Sequence, residues 1–216
     1  MHVEIPFSQE YWDKKLSQYA TEDWAEKPSI FAEQAITHFP ASGELLELAA
    51  GYGQDGRFFA SKGYKVTQSD LSATGVKYLE EKKLEGMRVR VVDMTQPLPF
   101  LDEDLDIVYC HLGIHYFYWQ TTIQIVSEIH RILKPSGIIA LFTNSVNDTD
   151  YGAGDPLEDE YFLYKGIPKR YFSLDSMKKL MSNFETILLD AEGTTYKDSK
   201  IGVTNLIRYI GRKPVN

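Results

Sequence analysis

The sequence predicts an α/β fold in which a mainly parallel sheet lies between two layers of helices. Short apolar runs alternate with helical patterns between Glu44 and Phe142, and this alternation is typical of βαβ units. A glycine-rich turn, GYGQDG at 51–56, follows the first apolar run. Acidic residues end the next two predicted strands. Because open α/β sheets bind ligands beyond the carboxyl ends of their strands, these observations predict a ligand site at one edge of the sheet.

The N-terminal 43 residues are predicted to form a helical cap or lid. Trp12 and Leu16 fall at helical spacing, and Pro28 suits the start of a second helix. Residues 44–216 are then expected to form the main body, and the two parts together a single domain.

Five strands are predicted first, at 45–50, 65–69, 89–92, 105–110 and 138–142. Helical patterns separate most of them, which favours parallel pairing. The segment 144–172 is polar, shows no clean period and is predicted to be a long functional loop or flap. Ser173 is expected to cap a helix, and 186–189 with 206–210 to form an antiparallel hairpin at the sheet edge.

Composition excludes several classes of partner. The chain has 216 residues, is 43% apolar and carries a net charge of -8. An acidic balance argues against a broad phosphate-binding surface, so nucleic acid is not expected as a partner. No apolar stretch of 18 residues occurs and the start resembles no secretory signal, so we expect no membrane contact and a cytoplasmic location.

The glycine turn leaves two classes of ligand open. Gly51, Gly53 and Gly56 satisfy the G-x-G-x-x-G fingerprint of dinucleotide-binding proteins. Asp70 lies 19 residues after Gly51, near the spacing expected for an acid that binds a ribose. The ligand is therefore a nicotinamide or flavin dinucleotide, as in an NAD(P)-dependent oxidoreductase, or another adenosine cofactor.

Three acids favour the second class. Glu47, Asp70 and Asp93 stand at or near the ends of three successive predicted strands, so they are expected to converge on one crevice. Carboxylates accept hydrogen bonds from ribose hydroxyls or an adenine amino group. An acid at Glu47 would repel a pyrophosphate but suits a ligand with an ammonium group.

Four ordered segments resemble the class I S-adenosyl-L-methionine-dependent methyltransferases. They are ELAAGYG at 47–53, VTQSDLS at 66–72, VVDMTQPLPFLDEDLDIVYC at 91–110 and EIHRILKPSGIIAL at 128–141, within a resemblance over roughly 40–145. The resemblance implies a seven-stranded sheet of order 3-2-1-4-5-7-6 with strand 7 antiparallel. It also implies a methyltransferase that uses S-adenosyl-L-methionine and releases S-adenosyl-L-homocysteine.

The resemblance further implies which residues hold that cofactor. They are Glu47, Ala49, Gly51 and Gly53 for the methionine part, Asp70 and Leu71 for the ribose and adenine, Asp93 and Met94 for the adenine, and His111 beside the cofactor. Ala49 departs from the family pattern, which usually has glycine at this position.

Fewer sequence features predict the residues that contact the methyl acceptor. His115 begins the loop over the reacting centre, where it would act as a general base or simply pack. Tyr116 and Arg170 are candidate acceptor-binding residues. His111 and His115 are four residues apart, but no third ligand is evident, so no metal is expected.

We therefore expect methyl transfer to a small-molecule acceptor by a monomer or homodimer. The alternatives are the oxidoreductase and a non-catalytic protein that binds S-adenosyl-L-methionine.

Overall fold

The computed structural model describes residues 9–19, 26–195 and 203–215. Its strands are β1 (Glu44–Leu48), β2 (Lys65–Asp70), β3 (Arg88–Val91), β4 (Leu105–His111), β5 (Leu133–Thr143), β6 (Asp155–Glu158), β7 (Tyr161–Tyr164), β8 (Ile167–Arg170), β9 (Glu185–Gly193) and β10 (Leu206–Arg212). Seven of them form the main sheet, and β6–β8 form a separate small sheet.

The main sheet has the order β3-β2-β1-β4-β5-β10-β9. β1 pairs in parallel with β2 and β4, whereas β10 is antiparallel to both β5 and β9. When only the main-sheet strands are numbered along the chain, this order reads 3-2-1-4-5-7-6, as predicted. Strand 7, which is β10, is the antiparallel one. The predicted fold class is thus confirmed. The order reverses between β1 and β4, which opens a crevice at the carboxyl ends of these strands.

Within the described residues, six α-helices accompany the strands: α1 (Gln9–Tyr19), α2 (Ile30–Ala35), α3 (Gln54–Ser61), α4 (Ala73–Lys82), α5 (Trp119–Ile132) and α6 (Leu174–Leu180). Ser72 caps α4 and Ser173 caps α6, each accepting a hydrogen bond from the backbone N–H three residues later. No helix within the described ranges combines the length and apolar character that crossing a bilayer requires.

Apolar side chains fill both faces of the main sheet. Phe31 of α2 and Phe59 of α3 pack with Tyr109 of β4 on one face. Ile129 of α5 and Met177 of α6 belong to the core on the other face. This arrangement fixes the sheet between two helical layers and leaves its carboxyl edge free for loops.

The segment 144–172 is not the irregular loop that the sequence predicts, because its second half folds into the small sheet. Strands β7 and β8 are joined by Lys165 and Gly166, which have φ angles of 53° and 75°. Two successive residues with positive φ make the tight turn that matches the twist of a hairpin. Lysine is an uncommon first residue for such a turn, so the sequence gives a weak hairpin signal here.

Candidate functional site

The glycine turn joins β1 to α3 at the carboxyl edge of the sheet. Ala49, Gly51 and Gly53 adopt left-handed φ angles of 54°, 54° and 68°. Such angles favour glycine, and Ala49 adopts one despite its side chain. A Cβ placed on Gly51 would meet only a Leu16 methyl, at 3.8 Å, among nearby atoms. The outer side of Gly51 therefore faces a gap between the turn and α1.

Asp70 ends β2 directly beside this turn. One carboxylate oxygen accepts the backbone N–H of Gly51 at 2.9 Å, and the other accepts that of Ser72 at 2.9 Å. The side chain is 8% exposed, and burial raises its pKa although these hydrogen bonds oppose the rise. Asp70 is thus a buried carboxylate that links the glycine turn to the start of α4.

Glu47 differs from its expected place along the methionine part of a cofactor. It is 3% exposed, and its Oε2 accepts the side-chain amide of Gln68 at 2.7 Å. Burial, with the nearby charge of Asp55, raises its pKa to about 8. Glu47 lies beneath the glycine turn rather than in the crevice above it, because its side chain points along the face of the sheet that α3 covers.

The third acid lies at the same sheet edge as Asp70. Asp93 follows β3 and is half-buried, and its Oδ1 accepts the N–H and hydroxyl of Thr95 at 2.9 and 2.7 Å. The strands β2 and β3 are neighbours, and the backbone of Val92 donates to the Asp70 carbonyl at 3.0 Å. Met94 packs against the core on the α5 face. Leu71, half-buried, follows Asp70 in the β2–α4 loop.

Two histidines lie at the end of β4 and shortly after it. The His111 ring stacks on Phe142 with 4.8 Å between ring centroids, and burial lowers its pKa. His115 is 2% exposed, and burial together with the positive charge of Lys169 lowers its pKa to about 3. The His111 Nε2 and His115 Nδ1 atoms are buried without a hydrogen-bond partner among the described residues. Both imidazoles are therefore neutral at physiological pH, with capacity to bind a polar group.

Helix α1 covers this edge of the sheet. The carboxylate of Asp13 accepts hydrogen bonds from the Ser72 hydroxyl and from the backbone N–H of Thr74, the latter at 3.0 Å. On the same helix, the Trp12 ring meets the Tyr116 ring edge-on at 4.8 Å between centroids. Asp13 thus ties α1 to the start of α4, and Trp12 joins it to the segment after β4. Helical spacing indicated the apolar face of α1, but no sequence signal marks Asp13.

Arg170 does not face the crevice. It is 2% exposed; its Nε donates to the carbonyl of Phe117 at 3.1 Å, its Nη1 to the carbonyl of Asp159 at 3.0 Å, and its Nη2 pairs with Glu158. Its guanidinium also lies over the Tyr161 ring at 4.8 Å. Since every guanidinium nitrogen already meets a protein oxygen, Arg170 holds the small sheet to the start of α5 and is not available to an acceptor.

Within the described residues, no group of three His, Cys, Asp or Glu side chains is arranged to hold a metal ion.

Comparisons of the sequence with known proteins find methyltransferases. Residues 46–141 match a family model described as a methyltransferase domain. A malonyl-[acyl-carrier protein] O-methyltransferase of Pectobacterium atrosepticum is 31% identical over 128 residues, which cover 56% of this chain and 47% of that protein. The chain spans less than half the length of the first curated relatives it matches.

Solved structures share the fold at lower identity. A SAM-dependent methyltransferase from Methanosarcina mazei superposes with a TM-score of 0.72 at 19% identity, over 85% of this chain and 98% of that one. The 1,6-didemethyltoxoflavin-N1-methyltransferase of Burkholderia thailandensis gives 0.69 at 18%, over 99% and 94%. The [4+2]-cyclase SpnF gives 0.64 at 16%, over 94% and 81%, so the fold alone does not fix the reaction.

The family model begins inside β1 and ends inside β5, and so spans the glycine turn, Asp70 and Asp93. Residues 46–141 are thus similar to a methyltransferase domain, and the strand order is the one that the resemblance to the class I S-adenosyl-L-methionine-dependent methyltransferases implies.

Proposed function

We propose that this protein transfers a methyl group from S-adenosyl-L-methionine to a small-molecule acceptor. The observation that carries the proposal is the buried carboxylate of Asp70 bonded to the backbone N–H of Gly51, at the point where the strand order reverses. A carboxylate beside a glycine turn suits a ligand that has ribose hydroxyls next to an amino acid group.

The residues at this edge fit that cofactor. Gly51 leaves a gap that a Cβ would narrow, and the Asp70 carboxylate has lone pairs beyond those that its backbone N–H partners occupy. The half-buried Leu71 and Met94 supply apolar surface beside Asp70 and Asp93. We infer that Asp70 binds the ribose, Asp93 the adenine amino group, and the turn at Ala49, Gly51 and Gly53 the methionine part.

Bound S-adenosyl-L-methionine supplies an electrophilic methyl group with its own leaving group, so the protein needs no covalent nucleophile. The chain contributes position and exclusion of water. Helix α1, tied down by Asp13, forms the roof, while Trp12 and Tyr116 form an aromatic wall on the side after β4. We propose that α1 is a lid over the cofactor and that this wall contacts the acceptor.

His115 suits an orienting role better than a strong base. A pKa of about 3 means that a proton taken from the acceptor would be held weakly. The neutral imidazole can still accept a hydrogen bond at Nδ1, which is buried and has no partner among the described residues. We propose that His115 orients an acceptor whose proton leaves to solvent or is absent from the start.

Two features favour a small acceptor. The net charge of -8 opposes a nucleic acid footprint, and the aromatic wall is roofed by a helix. One relative named above is a malonyl-[acyl-carrier protein] O-methyltransferase and one solved structure holds 1,6-didemethyltoxoflavin, so their names do not agree on one acceptor.

Calorimetric titration with S-adenosyl-L-homocysteine and, separately, with NADH tests the cofactor. We expect binding of the adenosyl ligand and none of NADH. Binding of NADH alone would instead support the oxidoreductase, whose G-x-G-x-x-G fingerprint the sequence also satisfies.

A methyl-transfer screen then separates an enzyme from a non-catalytic binding protein. Radiolabelled cofactor and extracts divided into small-molecule and macromolecular fractions should give labelled product in the small-molecule fraction. Label in the macromolecular fraction would refute the small acceptor. Tight cofactor binding without label in either fraction would favour the non-catalytic alternative.

A further inference from the structure

We propose that Gln68 is a positioning residue that holds the glycine turn in its cofactor-binding shape; this rests on the function proposed above. Gln68 lies on β2 and is completely buried. Its Nε2 donates to Glu47 Oε2 at 2.7 Å and to the Gly53 carbonyl at 2.9 Å. The Gln68 side chain therefore joins β1, which precedes the turn, to Gly53, which directly precedes α3.

The two partners fix the orientation of the amide. The Gly53 carbonyl can only accept a hydrogen bond, so the NH2 group faces it, and the second hydrogen is donated to Glu47 Oε2. The Gly53 carbonyl also accepts the N–H of Arg57 at 3.0 Å, in the first turn of α3. Gln68 thus sets the carbonyl at which the glycine turn becomes helix.

The spacing of the glycines follows from this contact. A Cβ on Gly53 would lie 2.4 Å from Gln68 Nε2, and one on Gly56 would lie 2.4 Å from the same atom and 2.3 Å from Glu47 Oε2. Both distances are far inside van der Waals contact, so neither position has room for a side chain. The absence of a Cβ at Gly53 and Gly56 therefore leaves room beneath the turn for the side chains of Gln68 and Glu47. Gly51, in contrast, faces the gap under α1.

Contacts within the protein, and not a bound pyrophosphate, therefore explain the G-x-G-x-x-G pattern. Two of its three glycines face buried protein groups, and the oxygen Oε2 of Glu47 lies beside the third. Loss of the Gln68 amide would leave Glu47 and the Gly53 carbonyl without their shared donor in a buried place. The turn would then relax, and its N–H groups would leave the arrangement that binds the cofactor.

Two substitutions test the amide. Gln68→Met keeps the size and removes both donors, and we expect S-adenosyl-L-homocysteine to bind roughly tenfold more weakly by calorimetry. Gln68→Glu places a second carboxyl beside Glu47, whose pKa of about 8 leaves it protonated at neutral pH. The pair then shares one proton, so the Gly53 carbonyl loses its donor and the affinity for S-adenosyl-L-homocysteine should fall. On acidification the new carboxyl gains a proton and regains one donor, so its affinity relative to wild type should recover. Gln68→Met should show no such recovery.

The pH comparison is made as a ratio to wild type because other groups titrate near this position. The ionisable groups around it are Glu47 on β1, Asp55 and Arg57 on α3, and Asp70 at the end of the same strand. All four are present in every variant, so a recovery confined to Gln68→Glu reports the carboxyl pair that this substitution forms with Glu47.

Ser69→Ala is the matched control. The Ser69 hydroxyl is 1% exposed and donates to the backbone carbonyl of Glu47 at 3.0 Å, so it also joins β2 to β1. Its side chain makes no hydrogen bond to the glycine turn. We expect a lower melting temperature and unchanged affinity for S-adenosyl-L-homocysteine.

The outcomes separate the two proposals. Failure of the wild-type protein to bind S-adenosyl-L-homocysteine refutes the proposed function. If the wild type binds, wild-type affinity in Gln68→Met, or an equal loss in Ser69→Ala, overturns the role of Gln68. If Gln68→Glu does not fold, the comparison of Gln68→Met with Ser69→Ala still decides the question.

Discussion

The carboxylate of Asp70 accepts the backbone N–H of Gly51 with an oxygen–nitrogen distance of 2.9 Å. Gly51 lies in the loop after β1, whereas Asp70 is the last residue of β2. Their hydrogen bond holds the glycine turn beside a buried acid. It connects the carboxyl ends of β1 and β2, which is where we propose that the cofactor binds.

Asp70→Ala should weaken binding of S-adenosyl-L-homocysteine by roughly 1–3 kcal/mol, because it strands buried donors on the protein and on the ligand. Calorimetry measures the change. Asp104→Ala, at an exposed position far from the glycine turn in sequence, is the control and should bind as wild type. Equal affinity in both variants would remove Asp70 from the site.

The pH dependence of cofactor binding follows from the same residue. Burial raises the pKa of Asp70 above that of a free carboxyl, so Asp70 protonates at a higher pH than an exposed aspartate. The carboxylate is the form that accepts ribose hydroxyls at both oxygens. Affinity for S-adenosyl-L-homocysteine should therefore fall as the pH drops through this raised pKa. In Asp70→Asn that fall should be absent, and its persistence there would assign it to another group.

Loss of the Asp13 carboxylate should loosen the lid. Asp13→Ala removes the acceptor for Ser72 and Thr74, and we expect S-adenosyl-L-homocysteine to dissociate roughly fivefold faster, which corresponds to about 1 kcal/mol of capping free energy. Stopped-flow displacement measures the rate. Glu10→Ala, an exposed position on the same helix, should leave it unchanged. Equal dissociation rates in wild type and Asp13→Ala would argue against a lid.

Arg170 should matter for stability and not for cofactor affinity. Arg170→Met leaves Glu158 and two carbonyls without their donor, and we expect the free energy of unfolding to fall by about 3 kcal/mol. Urea denaturation measures this. Lys165→Met, exposed on the turn of the same small sheet, should change it by less than about 0.5 kcal/mol. A stable Arg170→Met protein would contradict the structural role.

His115 should make the fold sensitive to acid. Its pKa is lowered to about 3 in the folded protein, so below the ordinary value of 6.5 the unfolded chain binds the proton more readily. Stability is therefore lost as the pH falls from about 6.5 towards 3, by about 2 kcal/mol at pH 5. His115→Gln should lack this loss when denaturation is followed at both ends of the range. The exposed His38, changed to Gln, should retain it.

Much of the fold follows from periodicity. Alternating apolar runs and helical patterns predicted a mainly parallel sheet because parallel strands need helical crossovers. The strand order was implied by the resemblance to the class I methyltransferases. The small sheet did not follow, since its turn at Lys165 and Gly166 depends on backbone angles that lysine seldom adopts.

For the candidate site, too, the sequence indicated some features and the tertiary structure decided others. Gly51 and Asp70 lie where their positions at strand ends indicated, because chain direction fixes which edge of a parallel sheet they reach. Glu47 occupies the strand position that the sequence indicated, yet its side chain points under the turn. Alternation along β1 and the space left by Gly56 decide that direction.

By itself the sequence determined a mainly parallel sheet and the edge at which a ligand site is expected, because these follow from local patterns repeated along the chain. Its resemblance to a known family implied the strand order and the class of cofactor. Only the tertiary structure decided that Gln68 supports the turn, that Asp13 ties down α1 and that Arg170 is enclosed. Each of these depends on contacts between residues distant in sequence, and a polar side chain carries no mark of the partner it meets after folding.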